Sequence, residues 1–450
     1  MVNKRNYRRI SVNQIQPVTL RERALELGDR STCVGLDIGK NEIVSVIRWP
    51  CGQFERPWSV KNPDQIQAFI ERMLILKETC DSLRIGLEST GTYGDCVRKA
   101  MTDAKLEVHR VAGKATSDYK EIFDGVPSAH DGKDAAIIAE LSYFQKSTPW
   151  PYVPPAQVED EILYDVIRYS LYCSEKSRYL NRIEAMLARH WPELRKSLEL
   201  TSLTLLEICD HYGSPARLAD DDEADQRLRR WSRGRLKRST IETIVESARS
   251  SVGLPMSAAA LDWMSELATE SKRCRKNIKK VDVRLNGQAA KHEQMRRFHK
   301  PVGGVSLCAI WSTVGDPARY DSSGAFVKAL GLNLKELSSG KRSGQLAITK
   351  RGNSHARKIL FFWALRAVQR PELQGWYAQF KRVGRDQSGH HRNSEKRKMK
   401  GIVALMRRLA AGLWYARTHD EDFDFAKVFP GSPLIKSRRG ANRQSPACVA

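Results

Sequence analysis

Apolar residues form strand-like runs in the first third of the chain. After Thr32 three runs follow one another, with the sequences CVGLDIG, EIVSVIRW and QFERPWSV, and a turn around Gly52 precedes the last one. This pattern predicts an antiparallel meander of three strands. Helical spacing over 66–74 comes next, followed by a strand LRIGLE, a helix from Tyr93, a strand EVHRV and a helix over about 131–144. That order of strands and helices is typical of an RNase H-like layered fold.

A change in composition ends this first region. Four prolines within 149–155 favour extended chain and block helix, so they predict a domain boundary. Apolar residues recur at near-helical spacing over 156–200, which predicts a helical hairpin or a coiled-coil arm. Further helices, interrupted by an acidic run and by a basic run over 227–238, are expected next. From Pro301 the pattern predicts a compact helical domain that contains a Gly-rich turn region.

A chain of 450 residues is too long for one ordinary hydrophobic core. We therefore predict an α/β domain combined with an all-α region. The expected segments, in chain order, are a basic flexible arm (1–31), an RNase H-like α/β domain (32–150), a helical or coiled-coil linker region with an insertion (151–300), a C-terminal helical domain (301–428) and a disordered tail (429–450).

An excess of basic residues favours nucleic acid as the partner. The net charge is +24 and the isoelectric point is near 9.7, and a chain this basic attracts polyanions. Residues 331–450 hold 25 Lys and Arg against 8 Asp and Glu, so this part is the better candidate for gripping a phosphate backbone. Charge alone also fits a basic solubilising surface, a ribosomal protein or a membrane-surface protein.

Cysteine usage and hydropathy bear on the cellular compartment. Nine cysteines, scattered from Cys33 to Cys448, include no CxxC pair and no Cys/His cluster at zinc spacing, so we expect reduced thiols. The first ten residues lack an apolar leader core, and no uncharged apolar run reaches the length of about 18 residues that a membrane span needs. We therefore expect a cytoplasmic protein without a membrane partner.

Four carboxylates occupy positions that call for a compensating cation. Asp37 interrupts the apolar run VGLDIG, and Glu88 closes the strand LRIGLE. In an RNase H-like sheet these two strands would be neighbours, so the two carboxylates would face one another. Asp131 and Asp134 lie three positions apart at the start of a helix and therefore on one face. Carboxylates that converge without bases between them repel one another, and hard divalent cations relieve that repulsion. We predict a site for two Mg2+ ions, with Mn2+ as a substitute, that serves phosphoryl transfer.

The same residues carry a resemblance to a known family. The segments VGLDIGKNE, IGLESTGTY and AHDGKDAAIIAEL resemble the N-terminal domain of the DEDD transposases of bacterial insertion sequences, the insertion sequence 110 family, which includes the Piv-like DNA invertases. The segments PVGGVSLCAIWSTVGDPARYDSSGAFVKALGL and SSGKRSGQLAITKRGNSHARK resemble the second domain of that family. The chain departs from the family pattern by extra sequence over about 200–300 and by Leu334, where a proline is common.

The resemblance implies a RuvC-like first domain that binds metal through the four carboxylates. It also implies a second domain with a serine nucleophile in a Ser-Gly motif, best matched here by Ser339 before Gly340, with the adjacent Ser338 as the alternative. Members of the family use a noncoding bridge RNA, made from the element itself, to choose donor and target DNA. Taken without the resemblance, Ser-Ser-Gly is an ordinary flexible turn.

Basic residues and glycines in the second domain are candidate contacts to nucleic acid. The sequence PVGGV resembles a helix-hairpin-helix turn, whose backbone amides hold a phosphate without reading bases, although Gly-Gly is also common in loops. The basic residues near the predicted serine would contact phosphates. The candidates are Gly303, Gly304, Gly340, Lys341, Arg342, Lys350, Arg351 and Arg357.

These features together predict a transposase or site-specific DNA recombinase of an insertion sequence, located in the bacterial cytosol or nucleoid. Its expected chemistry is Mg2+-dependent strand cleavage and exchange through a covalent serine–DNA intermediate. The expected partners are donor and target double-stranded DNA, a bridge RNA, and further copies of the chain in a homodimer or homotetramer. Two alternatives stay open: a RuvC-like structure-selective endonuclease that uses water as nucleophile, and a nucleic-acid-binding protein without enzymatic activity.

Overall fold

The computed structural model describes residues 8–28, 31–89, 91–126, 130–339, 342–381 and 394–430. The chain divides between Pro155 and Ala156 into two compact units, which we call the N-terminal unit and the C-terminal unit. None of the helices in these ranges combines the length and the apolar composition that crossing a membrane requires.

A mixed sheet of seven strands forms the centre of the N-terminal unit, in the order β1-β4-β3-β2-β5-β6-β7. The strands are β1 (Ile10–Ser11), β2 (Ser31–Ile38), β3 (Glu42–Arg48), β4 (Trp58–Lys61), β5 (Ser82–Glu88), β6 (Glu107–Val111) and β7 (Ser147–Pro149). Strands β2, β3 and β4 form the predicted antiparallel meander, although β4 begins only at Trp58. Strand β5 pairs in parallel with both β2 and β6.

Helices cover both faces of this sheet. They are α1 (Pro17–Leu27), α2 (Ile66–Thr79), α3 (Asp95–Asp103), α4 (Gly113–Asp124) and α5 (Asp131–Tyr143). Helices α1 to α3 pack on one face in a core that contains Leu36, Phe69 and Leu87. Helices α4 and α5 pack on the other face, where Ile137 and Ile138 share a cluster with Val111 of β6. The predicted mixed α/β domain is confirmed.

The prediction that residues 1–31 form a flexible basic arm is wrong for residues 8–28. These residues belong to the N-terminal unit: β1 pairs with β4, and Val12 and Leu20 are buried in the core with α2. The physical reason is that the apolar side chains of α1 form a stripe, which includes Leu20 and Ala24, wide enough to bury against the neighbouring helix. The first seven residues of the predicted arm lie outside the described residues.

Two 34-residue helices, α6 (Gln157–His190) and α12 (Ala258–Lys291), form the backbone of the C-terminal unit. They run antiparallel, because Asp165 near the start of α6 accepts hydrogen bonds from Arg284 near the end of α12, at 2.7 and 3.0 Å. At the other end, the guanidinium of Arg182 lies 5.9 Å from the ring of Trp263. Most of the region predicted as a helical hairpin or coiled-coil arm (156–200) is thus the single helix α6, and its antiparallel partner begins only at Ala258.

Five short helices between α6 and α12 form a helical subdomain over 180–268. They are α7 (Leu194–Ser197), α8 (Leu203–His211), α9 (Pro215–Ala219), α10 (Ala224–Ser232) and α11 (Arg238–Arg249). Their apolar faces pack with the adjoining ends of α6 and α12 into a core of their own, which includes Trp191, Leu206 and Leu228.

The rest of the C-terminal unit is mainly helical, which confirms the predicted helical character of this region. Its helices are α13 (His299–Val302), α14 (Gly304–Val314), α15 (Ser323–Ala329), α16 (Ser354–Ala367), α17 (Pro371–Lys381), α18 (Ser394–Thr418) and α19 (Phe425–Val428). Two predictions differ here. The Gly-rich turn region forms an antiparallel hairpin of β8 (Leu334–Ser339) and β9 (Arg342–Ile348), in which Leu334 pairs with Ile348 and Glu336 pairs with Leu346. The predicted tail begins too early, because Phe429 is buried beside Trp376, and residues 431–450 lie outside the described ranges.

Replacing Gly35 by alanine tests the packing of α5 on the sheet. An added Cβ at Gly35 would lie 2.0 Å from the carbonyl oxygen of Ala135 and 2.4 Å from the amide nitrogen of Ala139, and backbone atoms cannot move aside easily. We expect Gly35→Ala to lower the free energy of unfolding by about 2–3 kcal/mol. Hydrogen exchange of the full chain, followed by mass spectrometry, should show faster exchange in β2 and α5.

The matched control for this prediction is Gly287→Ala in α12, where an added Cβ meets nothing within 4 Å. Alanine is favoured over glycine inside a helix by about 0.5–1 kcal/mol, so exchange around residue 287 should stay the same or become slower. Equal exchange rates in Gly35→Ala and the parent chain would contradict the close packing described here.

Candidate active site

Strand alternation directs two carboxylates toward helix α5. In β2, Val34 and Leu36 point into the core with α1 and α2, whereas Gly35 lies under Ala135 of α5. Asp37 therefore shares the α5 face with Gly35, because side chains two positions apart point the same way. Glu88 occupies the equivalent position on β5, since Leu36 pairs with Leu87 in the parallel register. The two carboxylates thus lie side by side on neighbouring strands.

Helix α5 brings the other two carboxylates to the same place. It begins at Asp131, and the preceding His130 accepts a hydrogen bond from the amide of Gly132 at 3.1 Å. Asp134 lies one turn further along, on the same side of the helix as Asp131. The buried Lys133 between them turns away and donates to Asp124 at 2.6 Å. We call Asp37, Glu88, Asp131 and Asp134 the carboxylate cluster.

The pKa of Asp37 shows that these groups share one electrostatic environment. Burial raises the pKa of Asp37 from 3.8 to about 6, and the negative charges of Asp134, Asp131 and Glu88 raise it further, in that order. Lys120 of α4 opposes this rise. The sequence prediction that the four carboxylates converge therefore agrees with the structure.

Two basic residues lie among the carboxylates, which corrects the expectation that none would. Lys120 donates to Asp134 at 2.8 Å, and both side chains are about three-quarters buried. Arg9 forms ion pairs with Asp131 and with Glu42, the first residue of β3. These cations partly balance the cluster. Neither is recognisable from the sequence, because Arg9 precedes Asp131 by 122 residues and Lys120 sits in an unremarkable amphipathic helix.

The donor set fits a hard divalent cation. One oxygen of Asp134, Oδ1, is buried and has no hydrogen-bond partner among the described residues, so it is free to coordinate. All four members of the cluster offer carboxylate oxygens, which Mg2+ and Mn2+ prefer. As the side chains stand, no three acidic, histidine or cysteine residues in the described part of the chain form a ready metal-binding group. In this arrangement Asp131 and Asp134 are instead paired with Arg9 and Lys120.

The predicted serine belongs to the C-terminal unit, whereas the carboxylate cluster belongs to the N-terminal unit. Ser338 and Ser339 end strand β8, and Ser339 pairs with Arg342 of β9 next to a register shift at Leu337. The motif is therefore the end of a hairpin strand. Gly340 and Lys341, both predicted to contact nucleic acid, lie outside the described residues.

The predicted phosphate contacts of Gly303 and Gly304 are not available in this conformation. The amide of Gly303 donates to the carbonyl of His299 at 2.9 Å, and the amide of Gly304 donates to the side chain of Asn286 at 3.2 Å. Both amides are therefore committed within the protein. The positive φ of 90° at Gly303 explains the glycine there, because it lets the chain turn from α13 into α14.

The basic residues after β9 differ from one another in their roles. Lys350 and Arg351 are exposed, as nucleic-acid contacts would be. Arg357 is half-buried, and its guanidinium donates to the carbonyls of Leu330 and Lys350 at 3.3 and 3.4 Å. Arg357 therefore stabilises the turn that precedes α16, a role that the sequence analysis missed.

Comparisons with known proteins agree with this arrangement. Residues 34–192 match the family model of the DEDD transposases of the IS110 type, and they contain the whole carboxylate cluster. Residues 299–379 match the model of the Transposase IS116/IS110/IS902 family, and they contain the hairpin with Ser339. Residues 193–298, which include most of the helical subdomain, lie between the two matches.

A relative from Streptomyces clavuligerus extends the similarity. The uncharacterized 44.8 kDa protein of insertion element IS116 is 27% identical over 353 residues, which cover 75% of this chain and 85% of that protein. The two family matches, together with this relative, identify the chain. It belongs to the IS110-family DEDD transposases of insertion elements.

Proposed function

We propose that the chain is a transposase that cleaves and rejoins the DNA of an insertion element at a metal-dependent site in its N-terminal unit. The observation that carries this proposal is the shared environment of the carboxylate cluster, in which burial, and after it the charges of three neighbouring carboxylates, raise the pKa of Asp37. A protein without a cation ligand gains nothing from gathering four like charges. We also propose that the N-terminal unit is RuvC-like, which its antiparallel meander followed by parallel strands supports.

Magnesium ions held by the carboxylate cluster would supply charge stabilisation at the scissile phosphate. Lys120 and Arg9 compensate Asp134 and Asp131 in the metal-free chain, so both contacts have to loosen as cations bind. Asp37 and Glu88 sit on adjacent strands, whose register fixes their spacing. Asp131 and Asp134 are carried by α5, whose backbone lies directly on β2. The metal ligands are thus held by secondary structure rather than by loops.

We propose Ser339 as the nucleophile, with Ser338 as the neighbouring candidate. Its hydroxyl oxygen would form a bond to the scissile phosphorus, while the bond from that phosphorus to a deoxyribose oxygen breaks and the departing oxygen takes up a proton. A deoxyribose hydroxyl of the recombining strand would reverse this step and release the serine. The number of phosphodiester bonds is conserved, so strand exchange needs no external energy source.

The proposal also covers the partners of the chain. DNA is the substrate that transposase chemistry requires, and the excess positive charge of the C-terminal part supports contact with its phosphates. We extend the proposal to guidance by a bridge RNA and, because recombination joins four DNA ends, to a homodimer or homotetramer. Lys350 and Arg351 are the exposed basic residues after the hairpin and are therefore proposed phosphate contacts.

A metal-dependent endonuclease that uses water as its nucleophile is the second candidate. One observation favours it: all four carboxylates come from the N-terminal unit, so the metal site does not need the serine hairpin. The variants Asp37→Asn and Ser339→Ala separate the two candidates.

Replacing Asp37 by asparagine tests the metal site. In the parent chain Mg2+ or Mn2+ should raise the unfolding temperature, and this rise should disappear in Asp37→Asn. In EDTA at pH 8 the variant should be more stable than the parent, because one of four repelling charges is removed. The folded pKa of about 6 lies above 3.8, so this advantage is largest above pH 6 and disappears below about pH 4. Differential scanning calorimetry measures both effects.

Metal affinity gives a second readout of the same site. Metal binding requires an ionised Asp37, so the affinity of the parent chain should fall as the pH drops through about 6. The matched control is Asp64→Asn, because Asp64 is exposed and lies outside the cluster. An unchanged metal response in Asp37→Asn would rule out the proposed site.

Replacing Ser339 by alanine tests the nucleophile. With DNA that carries the element ends and with Mg2+ present, the parent chain should form a covalent protein–DNA adduct on denaturing gels. Ser339→Ala should reduce this adduct by at least about a thousand-fold, because no other group takes over the attack. Ser338→Ala serves as the adjacent control and should retain the adduct. If only Ser338→Ala loses the adduct, Ser338 rather than Ser339 is the nucleophile. If the parent chain forms no adduct, and both the parent and Ser339→Ala nick DNA in the presence of metal, the endonuclease is supported.

A further inference from the structure

The helical subdomain is an addition to the two parts of the chain that match the family. Most of it falls within residues 193–298, between the two family matches. It has a hydrophobic core of its own, so it is a folded element rather than a loose connection. Any contact of this subdomain with a partner is therefore made by its surface residues.

Positive charge is concentrated at one end of this subdomain. Seven of the twelve residues over 227–238 are Lys or Arg, and none is acidic. The segment contains the end of α10, the connection and the start of α11, so these residues are close together in space. We call the exposed members the basic patch: Arg229, Arg230, Arg233, Arg235, Lys237 and Arg238.

Most of the basic residues in the patch are not paired with acidic residues in the described part of the chain. Arg229 pairs with Asp225, and Arg238 pairs with Glu242, but the side chain of Arg238 is still 80% exposed. No ion pair within the described part of the chain involves the other four members, Arg230, Arg233, Arg235 and Lys237. The acidic run Asp220–Glu223 lies at the opposite end of α10, where Asp221 is held by Tyr212 and Arg227. Acidic and basic groups are therefore separated along this helix.

Helix stability explains only part of the patch. Arg229 and Arg230 lie in the last turn of α10, where positive charge is favoured by the helix dipole. Lys237 and Arg238 lie at the start of α11, where the dipole opposes positive charge, and the first turn of α11 has no acidic residue. Clustered like charges also repel one another. The positive charges at the start of α11 therefore do not stabilise that helix, and the crowding of six basic residues indicates an anionic partner.

The surroundings of the patch define the kind of anion. Among the described residues, no large hydrophobic side chain between 172 and 251 is strongly exposed, so the patch lacks the apolar face of a membrane-binding helix. The neighbouring Trp231 packs against His211 and Tyr212, with ring centroids 5.4 and 5.8 Å away, so it is not free to stack on a base. Exposed guanidinium and ammonium groups without an aromatic platform suit a regular phosphate backbone.

We propose that the basic patch of the helical subdomain binds the phosphodiester backbone of double-stranded DNA without reading its sequence. The choice of DNA rests on the proposed function, because DNA is the polyanion that a transposase must hold. The patch would add grip outside the cleavage site, through electrostatic contacts that release counterions and weaken with salt.

The test uses the full chain with three substitutions, Arg233→Gln, Arg235→Gln and Lys237→Gln. These positions are exposed and form no ion pairs, so folding should be unaffected, which circular dichroism and thermal unfolding check. The control carries Lys196→Gln, Arg217→Gln and Arg249→Gln, which remove the same charge from exposed positions elsewhere in the subdomain. Binding of fluorescently labelled duplex DNA is measured by anisotropy at several salt concentrations.

We expect the patch variant to bind duplex DNA about 10–100-fold more weakly than the parent near 0.1 M salt. The slope of log affinity against log salt concentration should become shallower by about 3, one for each lost phosphate contact. The control variant should stay within about threefold of the parent. Equal losses in both triple variants would overturn the inference, since net charge rather than the patch would then be responsible.

Two further arms separate this inference from the proposed function. Loss of binding to a duplex RNA of matched length, with unchanged binding to DNA, would overturn the assignment of DNA as the partner. Metal-dependent adduct formation on a short duplex that covers only the cleavage site should be retained in the patch variant, because the patch grips DNA beyond that site. A parent chain that binds duplex DNA but forms no adduct would count against the proposed function alone.

Discussion

The site depends on one close approach of backbone to backbone. Helix α5 lies so near β2 that no side chain larger than a hydrogen fits at Gly35, where an added Cβ would meet backbone atoms of α5. On β5, Gly86 faces the same helix, and there an added Cβ would meet the side chain of Ser142. This contact sets the height of α5 above the sheet, and with it the distance of Asp131 and Asp134 from Asp37 and Glu88. Arg48 of β3 secures the far end of the helix through a 2.6 Å ion pair with Glu140 and a contact with the ring of Tyr143. The carboxylates converge because helix α5 packs closely on the sheet. They are not neighbours in the sequence.

Such packing has an electrostatic cost, which other parts of the chain offset. Four carboxylates in a partly buried pocket destabilise the metal-free fold, and the raised pKa of Asp37 reflects that cost. Lys120 comes from α4, the helix next to α5, and Arg9 comes from the N-terminal segment that precedes β1. The N-terminal segment thus does more than complete the sheet, since it also brings a guanidinium to the edge of the cluster. These internal cations partly offset the mutual repulsion of the four carboxylates.

The sequence predicts the carboxylate cluster well and its surroundings poorly. Asp37 and Glu88 are recognisable because a charged residue in an apolar strand is rare, and Asp131 and Asp134 because their spacing matches a helical turn. Lys120 and Arg9 have no comparable signal, since a basic residue on an amphipathic helix or near a terminus is ordinary. The β8–β9 hairpin is obscured because its glycines and serines favour a turn, and because its apolar residues do not alternate with polar ones, since Ala347 lies between Leu346 and Ile348. The amides of Gly303 and Gly304 are a similar case, because their commitment to His299 and Asn286 depends on contacts between elements that sequence patterns do not encode.

The helical subdomain, most of which lies between the two family matches, joins the helical pair of α6 and α12 at one end. Helices α6 and α12 run antiparallel. The chain leaves the end of α6 and, after the five short helices, returns to it before α12 begins, where the amide of Leu254 donates to the carbonyl of Arg189 at 3.0 Å. Gly253 lies against the backbone of His190 so closely that an added Cβ would be 1.9 Å from its carbonyl oxygen. A subdomain whose two ends meet leaves the register of the helical pair unchanged, so its surface residues do not affect the packing of the rest of the C-terminal unit. The members of the carboxylate cluster, in contrast, constrain one another through their charges.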